Sequence, residues 1–229
     1  MIKSFLGTSV IEFPGKISSV IFIGGCNLRC PFCYNLDLVL PELVKKIPDI
    51  PADKIIEELK NRKGFVDGVS ITGGEPLLAT EISAFIKRVK DEVGIAVKID
   101  TNGTMPEKLK EILPFVDYIS MDIKTSPSKY PLATGNKVDF KGIEDSLEII
   151  KGTQNYEFRT TMVPGIVGKE DFVDICKKIK KVKKYVLQGF RNVKTLSPEF
   201  SNKEPYPFEY LKDSSVILKD CAELVEIRQ

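Results

Sequence analysis

The sequence predicts an α/β fold: a partial, open TIM-type barrel of about six β/α units. Short β-rich runs alternate with amphipathic helical stretches from residue 18 onward, which is the signature of a mostly parallel sheet covered by helices. The chain has 229 residues, short of the roughly 250 that a complete eight-unit barrel takes. That length also favours a single domain over residues 1–229, with a core at about 16–195 and a C-terminal extension at about 196–229.

The elements follow in order. "SSVIFIG" (18–24) reads as the first buried strand. "DKIIEELKNRKG" reads as a helix: Asp53 is placed to cap it, Ile55, Ile56 and Leu59 share one face, and Gly64 can stop it. "GVSITGG" (68–74) is the second strand, "EISAFIKRVKDEV" the helix after it and "IAVKIDTNG" the third strand. A short helix near 106–113, strand "YISMDIK", a helix over 141–151, strand "YEFRTTMVPG", a helix over 169–181 and strand "YVLQGF" complete the series. The first dozen residues and "AELVEIR" at the C-terminus are expected to add a strand each, and "SPEFSNKEPYPFEY" (197–210) to form the long loop.

In parallel sheets of this kind, ligands bind at the carboxyl ends of the strands. The chemically unusual residues fall there: Cys26 after the first strand, Gly73, Gly74 and Glu75 after the second, and Asp100, Thr101 and Asn102 after the third. Asp122 and Lys124 end the fourth, Arg159 lies in the fifth and Gln188 ends the sixth.

Composition narrows the chemistry. The 34 basic and 32 acidic residues leave a charge of only +2, so no domain-wide positive excess exists to neutralise nucleic-acid phosphates. The basic run "KKIKKVKK" (177–184) is expected to be the solvated side of a helix whose Ile175, Ile179 and Val182 face the core. No run approaches the roughly 20 apolar residues of a membrane span, and the N-terminus lacks a signal-peptide pattern, so a cytoplasmic protein with no membrane partner is expected. There is no histidine, which removes the commonest acid/base catalyst and the commonest nitrogen ligand of zinc.

Three of the five cysteines lie in "CNLRCPFCYN" (26–35) with C-x3-C-x2-C spacing. Clustered thiols in an intracellular chain point to metal or redox chemistry rather than a disulfide framework. A zinc knot uses four ligands, commonly as two paired motifs, and the second pair is missing. An all-cysteine iron–sulfur cluster also takes four thiolates. Three would leave one iron open to a substrate or cofactor. Cys176 and Cys221 are expected to be small core residues.

"CNLRCPFC", with Phe32 before the last cysteine, taken together with "TGGEP" (72–76) and "DTNG" (100–103), resembles the radical S-adenosylmethionine (SAM) superfamily. The resemblance implies a [4Fe-4S] cluster on Cys26, Cys30 and Cys33, with SAM on the fourth iron and reductive cleavage of SAM to a 5′-deoxyadenosyl radical. It implies a SAM-binding role for Phe32, Gly73, Gly74, Glu75, Asp100, Asn102, Lys124, Arg159 and Gln188. Glu75 can accept from an ammonium, and Lys124 and Arg159 can neutralise a carboxylate. Asp100 and Asp122 could serve as general acid and base, or as acids salt-bridged to neighbouring cations in the packing. By resemblance to the related pyruvate formate-lyase activating enzyme they would hold a monovalent cation. No catalytic residue is assigned, because the radical is carried by the cofactor.

From about residue 8 to 195 the chain is similar to glycyl-radical-enzyme activases, above all those of anaerobic ribonucleoside-triphosphate reductase. This implies a glycyl radical enzyme, the large reductase subunit, as partner, and an external flavodoxin- or ferredoxin-type electron donor. Tyr34 stands where many activases have histidine. The alternatives are a radical SAM enzyme acting on a small molecule, like 7-carboxy-7-deazaguanine synthase, and a noncatalytic zinc or iron–sulfur module.

Overall fold

The computed structural model describes residues 1–136 and 138–229. It has the α/β class expected from the sequence: among the described residues eight strands, β1 to β8 with β5 at Tyr118–Asp122, follow one another in sheet order, most of them parallel. The chain divides into two compact units, one built from residues 1–27, 35–101 and 107–119, the other from 28–34, 102–106 and 120–229.

In the first unit, β1 (Ile2–Ser9) pairs antiparallel with β2 (Ser18–Ile23), which lies parallel to β3 (Gly68–Gly73), itself parallel to β4 (Ala96–Thr101). The N-terminal strand anticipated from the sequence is therefore present. β-branched side chains fill the three parallel strands: Val20, Ile21, Ile23, Val69, Ile71, Val97 and Ile99 are all fully buried, as a sheet covered on both faces requires. Helix Ala52–Arg62 buries Ile55, Ile56 and Leu59, the face read from its spacing. Its cap differs from expectation. Pro51 occupies the N-cap position without a side-chain bond, and Asp53 sits in the first turn, where it pairs with Arg88 at 2.8 Å and favours the positive helix end. The next helix, Ile82–Arg88, widens into a π-helical turn over Val89–Val93 and stops at Gly94.

In the second unit, β6 (Tyr156–Met162), β7 (Val182–Gly189) and β8 (Ala222–Arg228) are parallel. β8 is the anticipated C-terminal strand. Part of the expected long loop is ordered as a short helix, Pro198–Ser201, and its end opens helix Phe208–Leu218. Helix Lys169–Ile179 ends before the basic run does: Lys180 takes a left-handed φ of 58° and Val182 begins β7. The run is thus divided between a helix end and a strand, because the chain must reverse there to re-enter the sheet.

Cys176 and Cys221 are not separate core residues. They form a disulfide between helix Lys169–Ile179 and the residue before β8, 45 positions apart in sequence. Cys221 is buried as expected; the pairing was not foreseen because a helix face and a strand boundary carry no record of each other in sequence. On the chain-entropy account a loop of that length contributes about 4 kcal/mol. Reduction, or Cys221→Ser, is expected to lower the denaturant midpoint by a corresponding amount, and identical midpoints with and without reductant would contradict this.

Candidate active site

In the first unit the ends of β2 and β3 are knitted together by the "GGE" segment. Gly74 N–H donates to the Ile23 carbonyl (2.9 Å), Glu75 N–H to the Gly25 carbonyl (2.7 Å), and Gly25 N–H to the Leu38 carbonyl (2.7 Å). Side chains would forbid this. A Cβ on Gly73 would lie 2.4 Å from the Ile23 oxygen, at a φ of +123°, and one on Gly74 would lie 2.0 Å from the Gly25 oxygen. The two glycines therefore serve close backbone approach, and what they approach is the strand end leading into Cys26.

Glu75 is almost wholly buried, at 1% exposure. Its carboxylate accepts from Thr101 Oγ1 (2.8 Å) and from Leu77 N–H (3.2 Å), so it caps the turn that follows and ties β3 to the end of β4. Asp100 forms an ion pair with the buried Lys98, whose ammonium also reaches Ser70 Oγ at 3.4 Å. An ammonium thus already sits on the carboxylate that the resemblance gives to a monovalent cation. Lys98 was missed in the sequence; a lysine inside an otherwise apolar strand, "IAVKID", was the signal.

In the second unit the cysteine loop is anchored by its backbone. Arg29 N–H donates to the Thr134 carbonyl (2.8 Å), Leu196 N–H to the Cys33 carbonyl (2.9 Å) and Ser197 N–H to the Pro31 carbonyl (2.8 Å). Cys33 N–H closes a turn onto the Cys30 carbonyl at 3.0 Å. Cys30 and Phe32 are buried, while Cys33 and, in the first unit, Cys26 are partly exposed. Tyr34 is well exposed.

The same unit gathers Asp122, Lys124 and Arg159. Lys124 Nζ donates to one Asp122 oxygen and Arg159 Nε to the other, each at 2.7 Å. Burial acts to raise the Asp122 carboxyl, but Arg159 and Lys124 outweigh it and hold the group well below the ordinary carboxylate range. Burial likewise disfavours the Lys124 ammonium, and the negative charges of Asp122 and Cys30 override it, raising Lys124 above its usual range. The Lys124 ammonium is thus electrostatically coupled to both Asp122 and Cys30. Asn102 folds into its own turn, accepting from Thr104 N–H (3.0 Å) and Oγ1 (2.6 Å). Gln188 lies near the end of β7, beside Thr161 of β6 and Arg228 of β8 in register.

Among the described residues, no group of three or more His, Cys, Asp or Glu side chains is arranged as a metal site. The fit to an iron–sulfur group and a carboxylate-bearing cofactor rests on the donor chemistry: soft thiols on an anchored loop, a partly exposed Cys33, and the Lys124 ammonium coupled to Cys30.

The radical SAM superfamily model matches residues 20–186. The "Putative glycyl-radical enzyme activating enzyme MJ1227" of Methanocaldococcus jannaschii is 34% identical over 238 aligned positions, covering 100% of this chain and 95% of that protein. The pyruvate formate-lyase-activating enzyme of Clostridium pasteurianum is 30% identical, covering 84% and 82%. Among solved structures, SuiB of Streptococcus suis bound to its precursor peptide SuiA superposes with a TM-score of 0.69 at 18% identity, over 92% of this chain and 48% of that one, a likeness of fold. With its cysteine motif inside the matched span, the chain belongs to the radical SAM superfamily and is an enzyme of that class.

Proposed function

We propose that this chain acts as a single cytoplasmic radical SAM domain that activates a glycyl radical enzyme, and that its partner is the large subunit of anaerobic ribonucleotide reductase. The observation that carries the activase reading is the relation to the activating-enzyme relative of Methanocaldococcus jannaschii, which extends over 100% of this chain and 95% of that protein. When bound at Cys26, Cys30 and Cys33, the [4Fe-4S] cluster with SAM supplies a 5′-deoxyadenosyl radical able to abstract a glycine Cα hydrogen.

The chain's own residues bind and orient. Gly73, Gly74 and Glu75 fix the strand end before Cys26. The Asp122, Lys124 and Arg159 group holds positive charge for a cofactor carboxylate. Phe32 is a buried residue of the cysteine loop, and Asn102 and Gln188 bring amide groups to strand ends. Asp100 and Asp122 each carry a side-chain cation, so a monovalent metal ion would have to displace or join those ammonium groups. Of the five cysteines, the motif takes three and the disulfide two. No thiol is left for a second cluster, which supports an external flavodoxin- or ferredoxin-type donor.

Electron paramagnetic resonance tests the partner. Reduced holoenzyme mixed with SAM and the large reductase subunit is expected to give a glycyl doublet on the reductase. SAM cleavage that proceeds fully without a doublet would contradict this partner, and turnover of a pterin-like small molecule would favour the deazaguanine-type alternative.

A further inference from the structure

Along the strands of the second unit, polar and charged side chains recur at alternate positions: Ser120 and Asp122, Glu157 and Arg159, and Glu226 and Arg228, the spacing that puts each pair on one face of its strand. Glu157 is fully buried and heavily bonded. Arg228 grips it with both terminal nitrogens, Nη1 to Oε1 at 2.7 Å and Nη2 to Oε2 at 2.8 Å, while Ser120 Oγ donates to Oε1 at 3.1 Å and Lys184 lies 3.2 Å from Oε2. Glu226 in turn accepts from Arg228 Nε at 2.8 Å and pairs with Lys184 at 2.7 Å.

Arg159 is two residues from Glu157 on β6 and within its electrostatic reach, yet its Nε donates to Asp122. A buried carboxylate and a partly buried one, Glu157 and Asp122, therefore compete for one guanidinium, and a bidentate fork on Glu157 decides the contest. Resting on the radical SAM reading above, we propose that Arg228, from the C-terminal strand, is a positioning residue of the active site: by occupying Glu157 it holds Arg159 on Asp122, beside Lys124.

The strand expected to be an extension beyond the core thus supplies the counter-ion that sets the core's charge. Across this network, Lys124, Arg159, Lys184 and Arg228 pair with Asp122, Glu157 and Glu226. Removing Arg228 takes one cation from the network and leaves Glu157 able to draw Arg159 away.

The test compares reconstituted holoenzyme as wild type, Arg228→Met, Arg228→Lys and the double variant Glu157→Gln with Arg228→Met. Equilibrium binding of SAM, thermal midpoint and crystal structures are measured. Arg228→Met is expected to weaken SAM binding about tenfold, the order for one misdirected charge-assisted hydrogen bond, and to show Arg159 moved onto Glu157. Arg228→Lys, a point charge without the fork, is expected to fall between. The double variant removes the competing carboxylate and is expected to restore binding to within about threefold of wild type, even if its thermal midpoint stays low. A purely structural role would leave the double variant as weak as Arg228→Met.

Arg159 still on Asp122 in the Arg228→Met structure, or a double variant that does not recover, would overturn the proposal. If Arg228→Met does not fold, the double variant decides, since it buries no unpaired carboxylate at position 157. A wild-type holoenzyme that fails to bind SAM would count against the functional reading, while the position of Arg159 in the crystal still judges this one.

Discussion

Gly74→Ala is expected to remove the active site by displacing its base. The new Cβ would lie 2.0 Å from the Gly25 oxygen, 2.6 Å from the Gly25 carbonyl carbon and 2.9 Å from the Leu38 oxygen. All three are backbone atoms, so no side chain can swing aside and the strand ends must part. That breaks the bonds from Gly74 and Glu75 to Ile23 and Gly25, the residues that lead into Cys26. The expected penalty is about 3 kcal/mol, at the upper end of overpacking costs, or a thermal midpoint lower by about 6–12 °C for a chain of this size. Iron retained after reconstitution should fall in parallel. A midpoint and iron content like wild type would show that the segment is not a clamp.

Cys30→Ala is expected to abolish the cluster and, with it, SAM cleavage. Cys30 is the buried thiol of the three and the one coupled to the Lys124 charge. Its loss would leave two cysteines for a group that uses cysteine thiolates as ligands. Cys176→Ala is the contrast: it opens the disulfide to Cys221 and lowers stability but should leave iron and sulfide content intact. Cluster loss in Cys176→Ala, or its retention in Cys30→Ala, would overturn the ligand assignment.

The alternation of strands and helices was legible in the sequence because buried parallel strands need unbroken β-branched runs such as "SSVIFI", and because helix Ala52–Arg62 repeats its apolar residues with helical period. The motif residues were legible because their types are costly anywhere else: paired glycines at a strand end, and clustered thiols. What they touch was not. Gly73 and Gly74 read as room for a ligand, yet the backbone they accommodate belongs to Ile23 and Gly25. Asp100 and Asp122 read as carboxylates at strand ends; that each pairs with a lysine two positions away in sequence, Lys98 and Lys124, did not. The Cys176–Cys221 bond and the grip of Arg228 on Glu157 join residues 45 and 71 positions apart. Local periodicity cannot encode such long-range pairs.

The most direct test of the account is product analysis after anaerobic reconstitution with iron and sulfide, followed by reduction in the presence of SAM. The account predicts methionine and 5′-deoxyadenosine formed together, and neither from Cys30→Ala. A full cluster that yields no 5′-deoxyadenosine would contradict it.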